Sequence, residues 1–331
     1  MSITSTAALR EAFSKLKVLV IGDVMLDRYV YGHVGRISPE APVPVVHVKK
    51  REMRLGGAGN VAKNLNALGA SSILCSVVGD DNEANELFHI LREEQIDHSG
   101  IIRCNDRITT VKERIMAGSQ HIARVDTEND HELTALEQKS LIQHIQRLAG
   151  ACDVVIFEDY DKGTLNEAVI DATVTFCKEK GIPTVVDPKK RNFLSYKGVT
   201  LFKPNLKELR EGLKVEVEGS NLSQINHAVE KLRAVMPFDK ALITLSEHGV
   251  FITDGEEQVH LPAHIRRIAD VSGAGDTVVS IAALALALQL PLSTIAALAN
   301  LGGGLVCEYQ GVVPIDLDRL MEEAEKEQLF S

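Results

Sequence analysis

The hydrophobic residues of this chain fall in short blocks that close on polar residues. Lys17–Asp23 (KVLVIGD) is an apolar run ending in Gly-Asp, the pattern of a strand buried on both faces. Ser71–Val78, Asp153–Phe157, Pro183–Asp187, Val199–Lys203 and Lys240–Leu245 repeat it. Between them lie stretches of helical periodicity: Asn60–Leu68, Asn82–Glu94, Leu133–Leu148 and Leu165–Lys180. Strands alternating with helices predict an α/β fold, a doubly wound and mainly parallel sheet flanked by helices. Polar residues at the carboxyl ends of such strands face a ligand crevice. Asp23, Asp187, Asn205 and Ser246 lie at or just beyond those ends.

Two segments break the alternation. Tyr29–Val48 and Ile102–Val125 are rich in Val, Ile and Thr, with Gly118-Ser119 as a hairpin-turn candidate. They predict a small β-sheet lid inserted within a single domain spanning residues 1–331. The apolar residues of Pro42–Val48 would leave that sheet one poorly covered face, so a homodimer packed lid to lid is expected. Val278–Ala299 is long enough to raise a membrane question. Gln289, Pro291, Ser293 and Thr294 split it into two pieces better read as buried helices.

Composition narrows the partners. A formal net charge of −10 argues against nucleic acid or an anionic membrane. Five scattered cysteines, with no CxxC, fit a reduced cytoplasm and exclude a zinc or disulfide framework. Met1–Lys17 is polar and carries Glu11, unlike a signal peptide. Locally the charge inverts: Arg28–Arg54 holds six Lys/Arg against two acids, and Arg103–Arg124 five against two. Asp187–Lys207 holds six against Asp187 alone. Such runs are usually solvated faces. On the lid of an acidic protein they favour an anionic substrate, clamped by charged donors. Arg36, Arg114, Arg124 and Lys189 are the candidates for a distal phosphate.

The chemistry centres on Ile268–Thr277, where a glycine-rich turn runs into the apolar stretch Val278–Leu288. Gly273 and Gly275 carry no Cβ, so backbone can approach a ligand. A helix opening there presents unpaired N–H groups, a seat for phosphate. Asp276 gains nothing as an anion binder. It reads either as a helix-capping residue or as a base that takes a hydroxyl proton during phosphoryl transfer. Leu55–Ala62 (LGGAGNVA) is a second glycine-rich turn feeding a helix. Asn205 and Glu208 have capping-box spacing. Gly22–Arg28 (GDVMLDR) follows the first strand.

Asp270-Val271-Ser272-Gly273-Ala274-Gly275-Asp276 resembles the second signature of the ribokinase-like (PfkB) carbohydrate kinases, with Val271 in place of the usual Thr. Gly56-Gly57-Ala58-Gly59-Asn60 resembles the first. The resemblance implies an ATP-dependent kinase with Asp276 as base and the amides of Gly273, Ala274 and Gly275 binding the transferring phosphoryl group. Gly56, Gly57 and Asn60 would meet the sugar, as would Asp27 or the adjacent Asp23. Asn205-Leu206-Lys207-Glu208 resembles the family's Asn-x-x-Glu element, which implies phosphate orientation and contact with Mg²⁺ through water. Thr244–Gly249 resembles the loop near the nucleotide, with Ser246 replacing a glycine. Asn300 falls where the adenine pocket closes, and reads equally as a polar helix residue. A monovalent-cation requirement stays open.

Gly22–Tyr29, Arg36–Val45, Asp159–Gly163 and Val186–Lys189 look most like one subgroup of that family, the D-glycero-β-D-manno-heptose-7-phosphate kinases. The implied reaction phosphorylates the anomeric hydroxyl to the 1,7-bisphosphate, in ADP-heptose supply to lipopolysaccharide. These kinases are often fused to a nucleotidyltransferase that this sequence does not match, so a stand-alone kinase or a kinase part is expected. The rivals are a kinase for ribose, fructose or a fructose phosphate, and a relative that binds nucleotide or sugar without chemistry. An intact Asp276 disfavours the second. A dehydrogenase is a poor third, because no GxGxxG follows Val18–Asp23.

Overall fold

Val18–Ile21 has no side chain that water reaches, so this run can only sit between two covered faces. In the computed structural model, which describes residues 3–118, 120–264 and 266–330, it forms the middle of a large sheet. Helix α1 (Thr6–Phe13) leads into β1 (Lys17–Gly22). β2 (Val24–Ile37) and β3 (Pro44–Gly57) make a long hairpin that runs directly into α2 (Ala58–Ala67). β4 (Ser71–Gly79), α3 (Asn82–Glu93) and β5 (Asp97–Cys104) return to the large sheet. A second hairpin, β6 (Val111–Ala117) and β7 (Gln120–Thr127), precedes α4 (Ala135–Ala149). Alternation resumes with β8 (Val154–Glu158), α5 (Glu167–Lys180), β9 (Thr184–Asp187) and β10 (Leu201–Phe202). α6 (Leu206–Leu213), α7 (Leu222–Val235), β11 (Lys240–Thr244), β12 (Val250–Thr253) and β13 (Gln258–Leu261) follow. α8 (Ala274–Ala287), α9 (Leu292–Val306) and α10 (Leu317–Lys326) complete the described elements.

Among the described residues the large sheet has nine strands in the order β13-β12-β11-β10-β9-β8-β1-β4-β5. It is parallel except at β12, which runs against both its neighbours. One face packs on α1, α2, α3, α8, α9 and α10, the other on α4, α5, α6 and α7. The expected α/β architecture therefore holds. α8 is apolar almost all round and lies buried, as such a helix must. Leu288–Pro291 separates it from α9, and no helix among the described residues is long and apolar enough to cross a membrane.

The small sheet has the order β3-β2-β6-β7. It differs from expectation at its edges. Ile102–Cys104 belongs to β5, pairing with β4 in the large sheet, so the second lid segment begins at Val111. β2 starts at Val24 and β3 runs on to Gly57, well beyond Tyr29–Val48. The reason is that β1 passes straight into β2, carrying the chain from one sheet to the other. Gly118 takes a left-handed φ of 62°, and Ser119 lies outside the described residues.

Registers bring the functional ends together. Gly22 pairs with Glu158 and Glu158 with Asp187. Phe202 pairs with Val186 and Ala241, and Asn205 bridges to Thr244. The carboxyl ends of β1, β8, β9, β10 and β11 thus form one ledge, with the start of α8 beside it.

Candidate active site

The turn before α8 is held from two sides. Asp270 accepts the Ser272 N–H at 2.9 Å and the Gly311 N–H at 3.0 Å. Gly273 closes the turn at φ 81°, a value that disfavours any residue with a Cβ. The first i→i−4 bond of the helix runs from Thr277 N–H to the Gly273 carbonyl at 3.1 Å. Of the expected anion-binding amides of Gly273, Ala274 and Gly275, that of Ala274 is already engaged by the Val271 carbonyl at 3.3 Å; the amide of Asp276, which was not among them, follows that of Gly275 in the first turn. A Cβ on Gly275 would lie 3.5 Å from Asp187 Oδ2, so helix and ledge come close here.

Asp276 is buried at this point. Its Oδ2 accepts the Asn60 side-chain amide at 2.5 Å and its Oδ1 accepts the Tyr160 hydroxyl at 3.1 Å. Burial pushes its carboxyl up to about 6; the hydrogen bonds from Asn60 and Tyr160 and the charge of Lys189 oppose that rise, while Asp187 adds to it. A carboxylate so placed is ionised at neutral pH yet basic enough to accept a proton. Asn60 reaches it because Gly57, at φ 57°, turns β3 directly into α2. A Cβ on Gly57 would stand 2.2 Å from the Asp23 carbonyl oxygen. Thr277 Oγ1 donates to Asn64 Oδ1 at 3.1 Å and locks α2 against α8. The two glycine-rich turns, 213 residues apart at Asn64 and Thr277, form one site.

Above Asp276 is a cavity of about 180 Å³. Asp27, Lys112 and Arg114 of the small sheet form one wall; Asn60, Tyr160 and Asp276 form the floor, with Gly56, Gly57 and Gly273 beside them. Arg114 pairs with Asp27 Oδ1, and both Arg114 and Arg54 lie over the Tyr29 ring at 5.2 and 4.9 Å. Asp27 Oδ2 faces Gly56, where a Cβ would approach it to 2.9 Å. Lys112 is half-buried and has no ion pair within 4.0 Å among the described residues. Burial, then Lys162, holds its ammonium below the usual lysine range. An anion entering the cavity would relieve both effects.

Beside the cavity is a charge cluster. Asp187 accepts from Lys203 at 2.9 Å and lies 3.7 Å from Lys189, which pairs with Glu208 at 2.8 Å. Burial alone would raise Asp187, but the two lysines outweigh it and hold it ionised. Glu158 is fully buried and neither carboxyl oxygen has a hydrogen-bond partner. Burial, Asp187 and Asp276 push it well above the carboxylate range. Asn205 and Glu208 form the expected capping box at the start of α6, at 2.8 Å in each direction. No group of three or more His, Cys, Asp or Glu among the described residues could cage a metal. The acceptor oxygens of Asn205 and Glu208 are taken up by that capping box and by Lys189, so these residues could meet a divalent ion only through its waters.

Other expected residues lie elsewhere. The Asp23 carboxylate is spent on the backbone N–H groups of Tyr160, Lys162 and Thr164, at 2.9, 3.0 and 3.1 Å. It pins the 160–164 loop and does not face the cavity. Arg36 is exposed at the far end of β2, opposite Val45. Arg124 is exposed and pairs with Asp126 at 2.9 Å. Thr244 ends β11, Ser246 and Gly249 lie in the turn that follows it, and Asn300 lies on α9. Ser246 takes φ 54°, Gly249 φ 85°, and the Asn300 amide donates to the Pro262 carbonyl at 2.9 Å. Tyr160, Lys112, Glu158 and Lys203 were not singled out by the sequence. Tyr160 was present only within Asp-Tyr-Asp-Lys-Gly and Lys112 and Lys203 only as members of basic runs, while Glu158 lies one residue beyond the apolar run Asp153–Phe157.

A profile of the pfkB family carbohydrate kinases matches residues 15–318. The bifunctional protein HldE of Syntrophotalea carbinolica is 40% identical over 311 residues, 93% of this chain and 62% of that protein. HldE of Caulobacter sp. (strain K31) is 41% identical over 317 residues, 95% and 64% respectively. The chain thus spans less than two thirds of these relatives' length. Phosphofructokinase-2 from Escherichia coli in complex with potassium superposes with a TM-score of 0.79 at 17% identity, covering 95% of this chain and 99% of that one. Ribokinase of Arabidopsis thaliana, complexed with ribose and ATP, gives 0.71 at 15%, covering 93% and 99%. At such identities the two structures speak for the fold.

Proposed function

The chain belongs to the pfkB family of carbohydrate kinases, and from that premise we propose that it moves the γ-phosphoryl group of ATP to the anomeric hydroxyl of D-glycero-β-D-manno-heptose 7-phosphate. The observation that carries the reading is the buried Asp276 under a cavity whose lid wall bears Lys112 and Arg114. A neutral sugar has no use for an unpaired ammonium there. The kinship to HldE proteins supports the heptose acceptor.

Asp27 and Asn60 would hold sugar hydroxyls and set the anomeric oxygen against Asp276. Asp276 takes the hydroxyl proton as that oxygen attacks phosphorus and ADP leaves. The first-turn amides of Gly275 and Asp276 meet the charge that builds on the transferring group, a preorganised form of stabilisation. Lys189 and Lys203 add positive charge on the nucleotide side. Asn205 and Glu208 would hold the waters of Mg²⁺, which when bound neutralises phosphate charge. Thr244, Ser246, Gly249 and Asn300 would border the nucleotide. Lys112 and Arg114 replace Arg36, Arg124 and Lys189 as the readers of the distal phosphate, Lys189 being paired with Glu208 outside the cavity lining.

The deciding test is ATP consumption over a panel of sugars and sugar phosphates, with the phosphorylated carbon assigned by NMR. Heptose 7-phosphate phosphorylated at C1 is the expected result; preference for a fructose phosphate would sink the acceptor assignment. We further propose a cytoplasmic homodimer through the small sheets, whose Ile37, Val43, Val48 and Val125 are exposed. Sedimentation of an active monomer at micromolar concentration would refute the dimer.

A further inference from the structure

The two oxygens of Asp276 are chemically unequal. Oδ2 is held at 2.5 Å by the Asn60 amide nitrogen, which carries hydrogens and cannot accept one. A proton placed on Oδ2 would find no acceptor in that nitrogen. Oδ1 is held at 3.1 Å by the Tyr160 hydroxyl, which can donate in one rotamer and accept in another. We propose that Tyr160 is a positioning residue that makes Oδ1 the proton-receiving atom of the base and stays bonded to it in both protonation states.

The step balances simply. Before transfer, Tyr160 O–H donates to ionised Oδ1. As the acceptor oxygen bonds to phosphorus, its O–H bond breaks and an Oδ1–H bond forms. Rotation about the phenolic C–O bond then lets the new carboxylic O–H donate to Tyr160 Oη. Oδ1 thus keeps a partner in both states, and the phenolic proton turns toward the cavity that Tyr160 lines; an unpaired buried carboxyl would cost more than the bond itself contributes.

Tyr160 is placed to do this and little else. Its backbone N–H is fixed by Asp23 at 2.9 Å, so the loop cannot carry the ring away. Lys112 and Lys189 stand 5.6 and 5.2 Å from the ring centre, which puts the ring between the acceptor cavity and the charge cluster. Burial and the nearby Asp276, Glu158 and Asp187 keep the phenol protonated at neutral pH. The charged or titratable groups facing Asp276 are Glu158, Asp187 and Lys189 from the ledge, and Asp27, Lys112 and Arg114 across the cavity. None of these is removed by Tyr160→Phe, which also keeps the ring.

The test is the pH dependence of kcat/KM. Of the two bonds, the one to the charged form is the stronger, so losing Tyr160 raises the base's pKa. Tyr160→Phe should therefore move the acid limb up by about one pH unit, about tenfold in activity below the limb and much less above it. Replacing Tyr160 with 3-fluorotyrosine, a more acidic phenol of nearly the same shape, should move the limb the other way. In an Asp276→Asn background, Tyr160→Phe should add no further loss. An unmoved limb in both single variants, or additive losses in the double, would overturn the proposal. The inference rests on Asp276 being the base. Near-normal turnover by Asp276→Asn would sink that reading itself, whereas an inactive Asp276→Asn with an unmoved limb sinks only the role of Tyr160.

Discussion

In the large sheet, β1 and β8 are buried on both faces from Val18 to Ile21 and from Val154 to Phe157. In the small sheet, β2 begins buried from Val24 to Leu26 and ends at Ile37, which is 61% exposed. The buried carboxylate of Asp276 rides on α8 against the first sheet, while the cations across the cavity, Lys112 and Arg114, ride on the second. The difference teaches where each task belongs. A base must be held to a fraction of an ångström and kept dry, which a close-packed core supplies. A reader of charge must stay open to solvent until its ligand arrives.

Breaking the large-sheet side should have the largest effect. Asp276→Asn is expected to fold, to bind ATP and to lose roughly 10²–10⁴ in kcat, the usual worth of a positioned general base. In the wild type, kcat/KM should fall as pH drops through about 6, because burial has raised the carboxyl and its protonated form cannot accept a proton. Turnover within a few-fold of wild type in the Asn variant would remove Asp276 from that role.

Packing comes next. Phe202 is fully buried between Phe193 and Phe238, with ring centres at 5.2 and 5.7 Å. Phe202→Ala should cost about 3–5 kcal/mol in denaturant unfolding. Val34, on the small sheet and 38% exposed, should tolerate Ser within about 0.5 kcal/mol. A large loss at Val34 would mean that this face is covered in solution.

Smaller effects separate the cations of the small sheet from one another. Lys112→Gln should lower kcat/KM for the phosphorylated acceptor by about ten- to hundredfold, since a charged hydrogen bond contributes about 1.5–3 kcal/mol. The unphosphorylated sugar should hardly change; equal losses for both would mean that Lys112 only steadies Tyr160. Arg124→Gln should stay within about threefold, because Arg124 is exposed and already paired with Asp126. A loss like that of Lys112 would return Arg124 to the phosphate site.

What the sequence determined by itself was whatever local chemistry specifies. Apolar runs set β1, β4, β8, β9 and β11 within a residue or two, because a doubly buried strand tolerates little else. Gly273 and Gly57 marked their turns, because a left-handed or crowded backbone excludes a Cβ. Asp276 and Asn60 were legible because each sits one helical turn from such a glycine. The tertiary structure decided which of many charges are free. Asp23 and Asp27 both qualified as sequence, with Asp27 the better match to the family position; three loop amides consume the Asp23 carboxylate while that of Asp27 meets Arg114 and the cavity. Lys112 and Arg114 share a face because they are two apart on β6, and the parallel register sets Asp27 beside Lys112. Across that register Arg114 is paired and Lys112 is left over. Tyr160 meets Asp276 across 116 residues only because Asp23 fixes its loop beneath α8. Such outcomes depend on pairings between distant strands, and local residue type does not encode them.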